Sequence, residues 1–267
     1  MMKDYKKLCR DIEAVVAATA LFIRRESGVF DIRHAESKGF NELVSYVDKR
    51  SEQMLVEDLA RILPNAGFIT EEGTSSKKGI RHRWIIDPLD GTTNFVHGLH
   101  PHSISVGLQE DDEIVAGVVY EVSGNEVFTA WKGGGSYLNG SPIHVSCTEE
   151  LCDSLVATGF PYSDFSRLDN YMASLAHFCK TSHGVRRLGS AAIDLAYVAC
   201  GRFEAFYEYG LHPWDVAAGT IIVKEAGGRI SDFSGNEKNF SGNEIVATNS
   251  NVFDEFLKIV SNFMQVK

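Results

Sequence analysis

The sequence predicts an α+β protein in which helices and two sheets are layered. Three observations carry this: two amphipathic helical patterns open the chain, short β-rich runs fill Trp84 to Ile143, and strands and helices alternate beyond about residue 150. With 267 residues, 44% of them hydrophobic, there is enough apolar material for one large domain or two packed halves. The change of pattern sets those halves at 1–145, an α+β unit, and 146–267, an α/β unit, with a ligand cleft expected between them.

The elements follow in order. In "MMKDYKKLCRDIEAVVAATALFIRRES", Leu8, Ile12, Val15, Val16, Phe22 and Ile23 share one helical face. Its apolar segment, Ala14 to Ile23, is too short to span a bilayer and lacks a signal-peptide pattern, so no membrane partner is expected. A second helix turns Met54, Leu55, Leu59 and Ile62 inward and ends at Pro64. Next come "WIID", "HSISVGLQ", "EIVAGVVYE" and "NEVFTAW", an antiparallel meander. The triple glycine of "WKGGGSYLNGSPI" precedes no Lys-Ser/Thr pair or helix start, so it reads as a hairpin rather than a phosphate cradle. From "SLVATG" to "NVFDEFLKIVSNFM" the alternation predicts a mixed sheet covered by helices.

Charge narrows the partners. There are 36 acidic against 26 basic residues, a net charge of −10, and such a field repels nucleic acid. A small phosphorylated substrate remains compatible, because cations held by clustered carboxylates invert the local field. The five cysteines are odd in number and never spaced Cys-x-x-Cys, which predicts free thiols in a reducing cytoplasm rather than disulfides or a zinc ribbon.

The acids collect around "WIIDPLDGTTNFVHG", residues 84–98, where Asp87 and Asp90 flank a proline. Pro88 is expected to turn the chain so that Asp90 returns beside Asp87. Two carboxylates so close call for a hard divalent cation, Mg²⁺ above all; read alone, "DG" is equally a strong turn dipeptide. Gly91 admits a ligand close to the backbone, and the N–H groups of Gly91, Thr92 and Thr93 can open a helical turn aimed at an anion. Of Glu71 and Glu72, adjacent after an apolar strand, at most one faces a given site. Asp48 stands before the second helix, where it could simply cap it. Asp215 is the third residue of a helix begun by Pro213, a position the helix dipole favours for any acid. Glu208 ends a strand and could be surface. His97, His100, His102 and His212 lie near the motifs, although a carboxylate site for Mg²⁺ needs no imidazole.

Together these residues resemble the inositol monophosphatase family of metal-dependent, lithium-sensitive phosphatases. Its W-x-x-D-P-x-D-G-T-x-N signature is here "WIIDPLDGTTN" and its W-D-x-A-A-G signature is "WDVAAG", both without gaps. The likeness extends over nearly the whole chain, through "EEG" and "GSAAIDLAYVACGRFEAFYE". It implies a sugar-phosphatase-like αβαβα sandwich, with most metal ligands in the first half and the second half closing the cleft.

Carried over by residue, the resemblance makes Glu71, Asp87, Asp90 and Asp215 side-chain ligands of two or three Mg²⁺, with the Leu89 carbonyl completing one site. Gly91 and Thr92 hold the phosphate. Asp48 and Thr92, with Glu71, serve the attacking water. Asp90, Gly189, Ser190, Ala191 and Glu208 contact the alcohol. Where the family commonly reads D-L-V-T-x-x-D, this chain has Glu42-Leu-Val-Ser45-Tyr-Val-Asp48, which keeps a charge and a hydroxyl; Lys38 resembles an upstream basic residue at a spacing one residue different. The implied reaction is hydrolysis of a small phosphomonoester, inositol 1-phosphate foremost, by in-line attack of metal-bound water without a phosphoenzyme. A cytoplasmic homodimer is the implied form. Fructose 1,6-bisphosphate, 3′-phosphoadenosine 5′-phosphate and histidinol phosphate are the alternative substrates, and a metal-binding regulatory protein without turnover is the alternative outside enzymes.

Overall fold

In the computed structural model, which describes residues 4–39, 42–237 and 243–264, the opening pattern becomes α1 (Tyr5–Ser27). Asp4 caps it, its carboxylate accepting the Lys7 N–H at 2.9 Å. Cys9, Ile12, Val16, Ala20 and Ile23 recur at three or four residues and form the buried stripe. A short hairpin, β1 (Glu36–Gly39) and β2 (Glu42–Val44), leads into α2 (Tyr46–Ile62). Val47, Leu55 and Leu59 face inward there, whereas Met54 and Ile62, expected to do so, are only partly covered.

Seven strands in chain order make the larger sheet: β3 (Gly67–Thr70), β4 (His82–Asp90), β5 (Ser103–Glu110), β6 (Glu113–Glu121), β7 (Glu126–Trp131), β8 (Gly135–Leu138) and β9 (Ser141–Ile143). From β4 onward it is the expected antiparallel meander, and β3 adds a parallel edge. The glycine hairpin between β7 and β8 binds a carboxylate of its own chain: Glu225 accepts the N–H groups of Gly133 (2.8 Å) and Gly135 (2.9 Å).

The second sheet is mixed, as the alternation predicted. Its strands are β10 (Leu155–Thr158), β11 (Gly184–Arg186), β12 (Ala205–Tyr209), β13 (Arg229–Ser231) and β14 (Glu244–Thr248), in the order β11-β10-β12-β14-β13. The remaining helices are α3 (Thr92–Val96), α4 (Leu168–Thr181), α5 (Ala191–Ala199), α6 (Pro213–Glu225) and α7 (Phe253–Met264). α1 and α2 cover one face of the large sheet, α5 and α6 lie between the sheets, and α4 and α7 cover the far side, an αβαβα stack.

The central helices are apolar nearly all round because both sides meet protein. Each fully buried residue such as Ile222 or Leu195 contributes about 1.5–3 kcal/mol. α6 sits directly on the sheet: a Cβ at Gly117 of β6 would lie 2.8 Å from the Ala218 carbonyl oxygen. Small Ala217 and Ala218 on the helix and the bare Gly117 on the strand therefore fix its height, and with it the position of Asp215. All five cysteines are free. Among the described residues no helix is long and apolar enough to cross a membrane.

Candidate active site

In a regular strand, residues three apart point to opposite faces, so Asp87 and Asp90 of β4 should be separated. Register resolves this: Asp87 faces Ser105 of β5, and Asp90 faces Ser103, so three steps on one strand match two on the other. This bulge brings both carboxylates to the same side. The expected proline turn is therefore a bulge inside a continuing strand, a place where the missing N–H of Pro88 is tolerated. Asp87 is 2% exposed, and its Oδ1 accepts the Leu89 N–H at 2.9 Å.

The chain leaves β4 through Gly91, at φ +88°, and enters α3. Glycine is required there twice over, because a Cβ would also lie 3.1 Å from the Gly189 carbonyl oxygen and 3.2 Å from that of Pro101. The leading N–H groups of such a turn have no intrahelical partners, and Gly91, Thr92 and Thr93 line the cleft. The Thr92 hydroxyl lies 2.8 Å from Asp48 Oδ1 and 2.9 Å from the Leu89 carbonyl, donating its one proton to either. Asn94, which closes the first signature, donates to the carbonyls of Pro101 (2.7 Å) and Leu188 (2.8 Å), tying this turn to the loop before α5.

Asp48 is fully buried in the first turn of α2 rather than ahead of it. Ser45 caps the helix, and Asp48 Oδ2 accepts from the Ser45 N–H (2.8 Å) and hydroxyl (2.6 Å), leaving Oδ1 for Thr92. Asp215, too, is both a cap and a site residue: its Oδ2 accepts the His212 N–H at 2.7 Å while it lines the cleft. Ser105, opposite Asp87, donates to the Trp214 carbonyl (3.1 Å) and pins the start of α6 to the bulge. Asp90 Oδ2 accepts from the Ser190 hydroxyl (2.6 Å) and the Ala192 N–H (2.8 Å) at the start of α5.

Glu71, Asp87, Asp90 and Asp215 thus reach one cleft of about 250 Å³ from a loop, a bulge and a helix start. Burial first, then the charges of Glu71, Asp90 and Asp215, push the Asp87 carboxyl well above its ordinary range. Burial likewise raises Asp215, with Asp90 and Glu71 adding to it. Asp90 is pushed up to about 6 by burial, held back by Ser190 and the α5 N–H groups. Asp48 is raised by burial against its hydrogen bonds.

The opposite wall carries Gly189, Ser190, Ala191 and Glu208, all lining the cleft. Two residues not anticipated from the sequence join it. Arg187, the only Lys or Arg among the described lining residues, donates to the Tyr162 hydroxyl at 2.6 Å. Buried Asp194 lines the same wall, raised by burial and then by the charges of Glu208 and Asp90. Asn94 stands behind the cleft and braces the Gly91 turn through its two carbonyl bonds; its fixed place in the signature is the signal for it. Of the histidines, only His212 lines the cleft, stacked on Trp214 with ring centroids 4.8 Å apart. His102 is buried, its pKa lowered chiefly by burial. The side chains of Lys38 and Glu42 lie outside the described residues.

The donor set fits a hard divalent cation: oxygen atoms only, in mutually repelling carboxylates. Among the described residues, no three acidic, His or Cys side chains close on one point.

Fold and cleft together define a layered α+β protein that sets a floor of carboxylates beside the glycine-led turn at Gly91–Thr93. The chain belongs to the inositol monophosphatase family, whose model matches residues 4–265. It is 44% identical over 238 residues to a SuhB protein of Neisseria meningitidis serogroup B, named for a Nus-factor role, covering 89% of this chain and 91% of that one. It is 38% identical over 239 residues to the inositol-1-monophosphatase of Mesorhizobium japonicum, covering 89% and 90%. Among solved structures, an IMPase of Thermotoga maritima superposes with a TM-score of 0.87 at 36% identity, covering 97% of this chain and 98% of that one. The family is one of phosphatases and is generally Mg²⁺-dependent.

Proposed function

We propose that the protein is a Mg²⁺-dependent phosphomonoesterase acting on a small polyhydroxy alcohol phosphate, inositol 1-phosphate foremost. The observation that carries this reading is the meeting of Glu71, Asp87, Asp90 and Asp215 beside the turn at Gly91–Thr93 and within reach of the Asp48–Thr92 pair. Glu71, Asp87, Asp90, Asp215 and the Leu89 carbonyl would hold the metal. When bound, Mg²⁺ neutralises phosphoryl oxygens, acidifies water and stabilises the departing alkoxide. Asp48 accepts the Thr92 hydroxyl proton, so the Thr92 oxygen can in turn accept from the attacking water and orient it. The N–H groups of Gly91 and Thr92 take phosphate oxygens. Glu208 accepts hydroxyl protons from the alcohol, and the Gly189–Ala191 loop shapes its seat.

The intact contact between Asp48 and Thr92 favours turnover over a purely regulatory metal-binding role, which the name of the Neisseria relative otherwise brings to mind. By family likeness we take the protein as a cytoplasmic, lithium-sensitive homodimer, with 1–145 supplying most ligands and 146–267 closing the cleft. Phosphate release from inositol 1-phosphate, fructose 1,6-bisphosphate, 3′-phosphoadenosine 5′-phosphate and histidinol phosphate, with and without Mg²⁺ and Li⁺, tests the reading. The expected result is the highest kcat/KM on inositol 1-phosphate and no release without metal. A protein that hydrolyses none of the four at saturating Mg²⁺ would overturn it.

A further inference from the structure

One turn beyond Asp48 on α2, and on the same face, stands a second acid with no evident part in the chemistry. Glu52 is fully buried and does not line the cleft. A buried carboxylate is costly unless its oxygens are hydrogen-bonded. Here each oxygen accepts one backbone N–H from a distant loop: Oε2 from Glu72 at 2.7 Å and Oε1 from Thr74 at 2.8 Å. Both bonds are charge-assisted and short, the strong kind.

The loop they hold begins where β3 ends. Ladder pairing stops at Thr70, opposite Ile86, so Glu71 is the first residue past the sheet, and residues 74–79 carry no regular structure. Glu71 faces a cleft in which the charge of Asp87 opposes its own. That repulsion favours an outward Glu71, and a backbone restraint on its C-terminal side opposes it. The Glu52 clamp supplies such a restraint, gripping Glu72 and Thr74.

We infer that Glu52 is a positioning residue: by clamping the Glu72 and Thr74 N–H groups it holds Glu71 toward Asp87, and so sets the affinity of the cleft for its divalent cation. The inference rests on the metal assignment made above for Glu71. It differs from a general stabilising role because its effect should appear in metal affinity and be recovered at high metal.

The test uses the full chain and MgCl₂. Glu52→Gln keeps the volume but turns an NH₂ group toward one of the two N–H donors; Glu52→Asp keeps the charge but falls one methylene short. Mg²⁺ is titrated twice, by phosphate release and, without substrate, by calorimetry. The half-saturating Mg²⁺ concentration should rise about tenfold or more for Gln in both readouts, as loss of an outer partner of a metal ligand does, and by less for Asp. At saturating metal kcat should return to within about threefold of the parent. Leu55→Ala, a cavity variant on the same helix, should lower the melting temperature and leave the Mg²⁺ midpoint in place. A folded Glu52→Gln protein with an unchanged midpoint overturns the inference, as does a Leu55→Ala midpoint that moves equally. A parent protein that takes up Mg²⁺ yet hydrolyses no ester refutes the proposed function, while the calorimetric titrations still decide the role of Glu52.

Discussion

The two sides of the cleft are finished to different degrees. On the floor, Asp48, Asp87, Asp90 and Asp215 each accept at least one N–H or O–H from the protein, so their directions are set before any ligand arrives. On the opposite wall, Asp194 Oδ1 and Arg187 Nε are buried without a partner among the described residues. Such atoms are costly to leave alone. The floor is ordered in advance by the protein's own hydrogen bonds, and the wall keeps hydrogen-bonding capacity unspent. The residues that the signatures name belong mostly to the floor, so they bear on the proposed reaction and say little about the proposed alcohol.

The largest expected effect is on the floor. Asp90 has one oxygen committed to Ser190 and the Ala192 N–H, which leaves the other for a cation. An amide offers only one acceptor oxygen for both tasks. Asp90→Asn should therefore lower kcat by about 10³-fold or more at saturating Mg²⁺, with an unchanged circular dichroism spectrum, since a neutral side chain also relieves repulsion with Asp87. Near-parent turnover in the folded variant would show that the floor is not where the chemistry resides.

The same contrast governs what could be read from the sequence. Strand and helix order was legible because the periods of 2 and 3.6 change sharply along the chain, and β4 to β9 follow one another as a simple meander. The acids were legible through their local signatures. Invisible was how Asp87 and Asp90 come to share a face, because a bulge is a matter of register with β5 and leaves no mark in β4 alone. The position of Asp48 inside the first turn of α2 was misjudged because Ser45 is itself a strong cap, and it takes the N-cap place three residues earlier. Arg187 and Asp194 lie outside both signatures, and only tertiary packing brings them to the cleft.

A substitution on the wall should separate recognition from chemistry. Glu208 is 5% exposed and lines the opposite wall, raised chiefly by burial, with Arg187 opposing. Glu208→Gln keeps the shape and exchanges one carboxyl oxygen for an NH₂ donor. It should reduce kcat/KM for inositol 1-phosphate by about ten- to a hundredfold, the range for a lost polar contact to a substrate hydroxyl. On p-nitrophenyl phosphate, which has no such hydroxyls, it should change little. Equal losses on both substrates would place Glu208 with the floor, and the two-sided description of the cleft would fail.

The smallest effect is thermodynamic and tests whether the floor's charge is uncompensated without metal. Asp87 and Asp215 are raised well above the ordinary carboxylate value, and Asp90 to about 6. A carboxyl whose folded pKa exceeds its unfolded one binds more protons in the folded state, so it favours folding below that window and loses the contribution as pH rises through it. Carboxylates held low by ion pairs, such as Asp31 at about 2 beside Arg33, finish titrating beneath the window. Buried His102, lowered by burial, runs the other way, since its unfolded form takes a proton as pH falls. Taking the difference in melting temperature with and without Mg²⁺ at each pH cancels His102, which lies off the cleft, and isolates the floor. That difference should grow from pH 5.5 to pH 8 by several degrees, a chain of this size moving about 2–4 °C per kcal/mol. A Mg²⁺-induced shift that is flat across this range would mean that protons and metal do not compete for the floor, and that its carboxylates are already balanced by the protein.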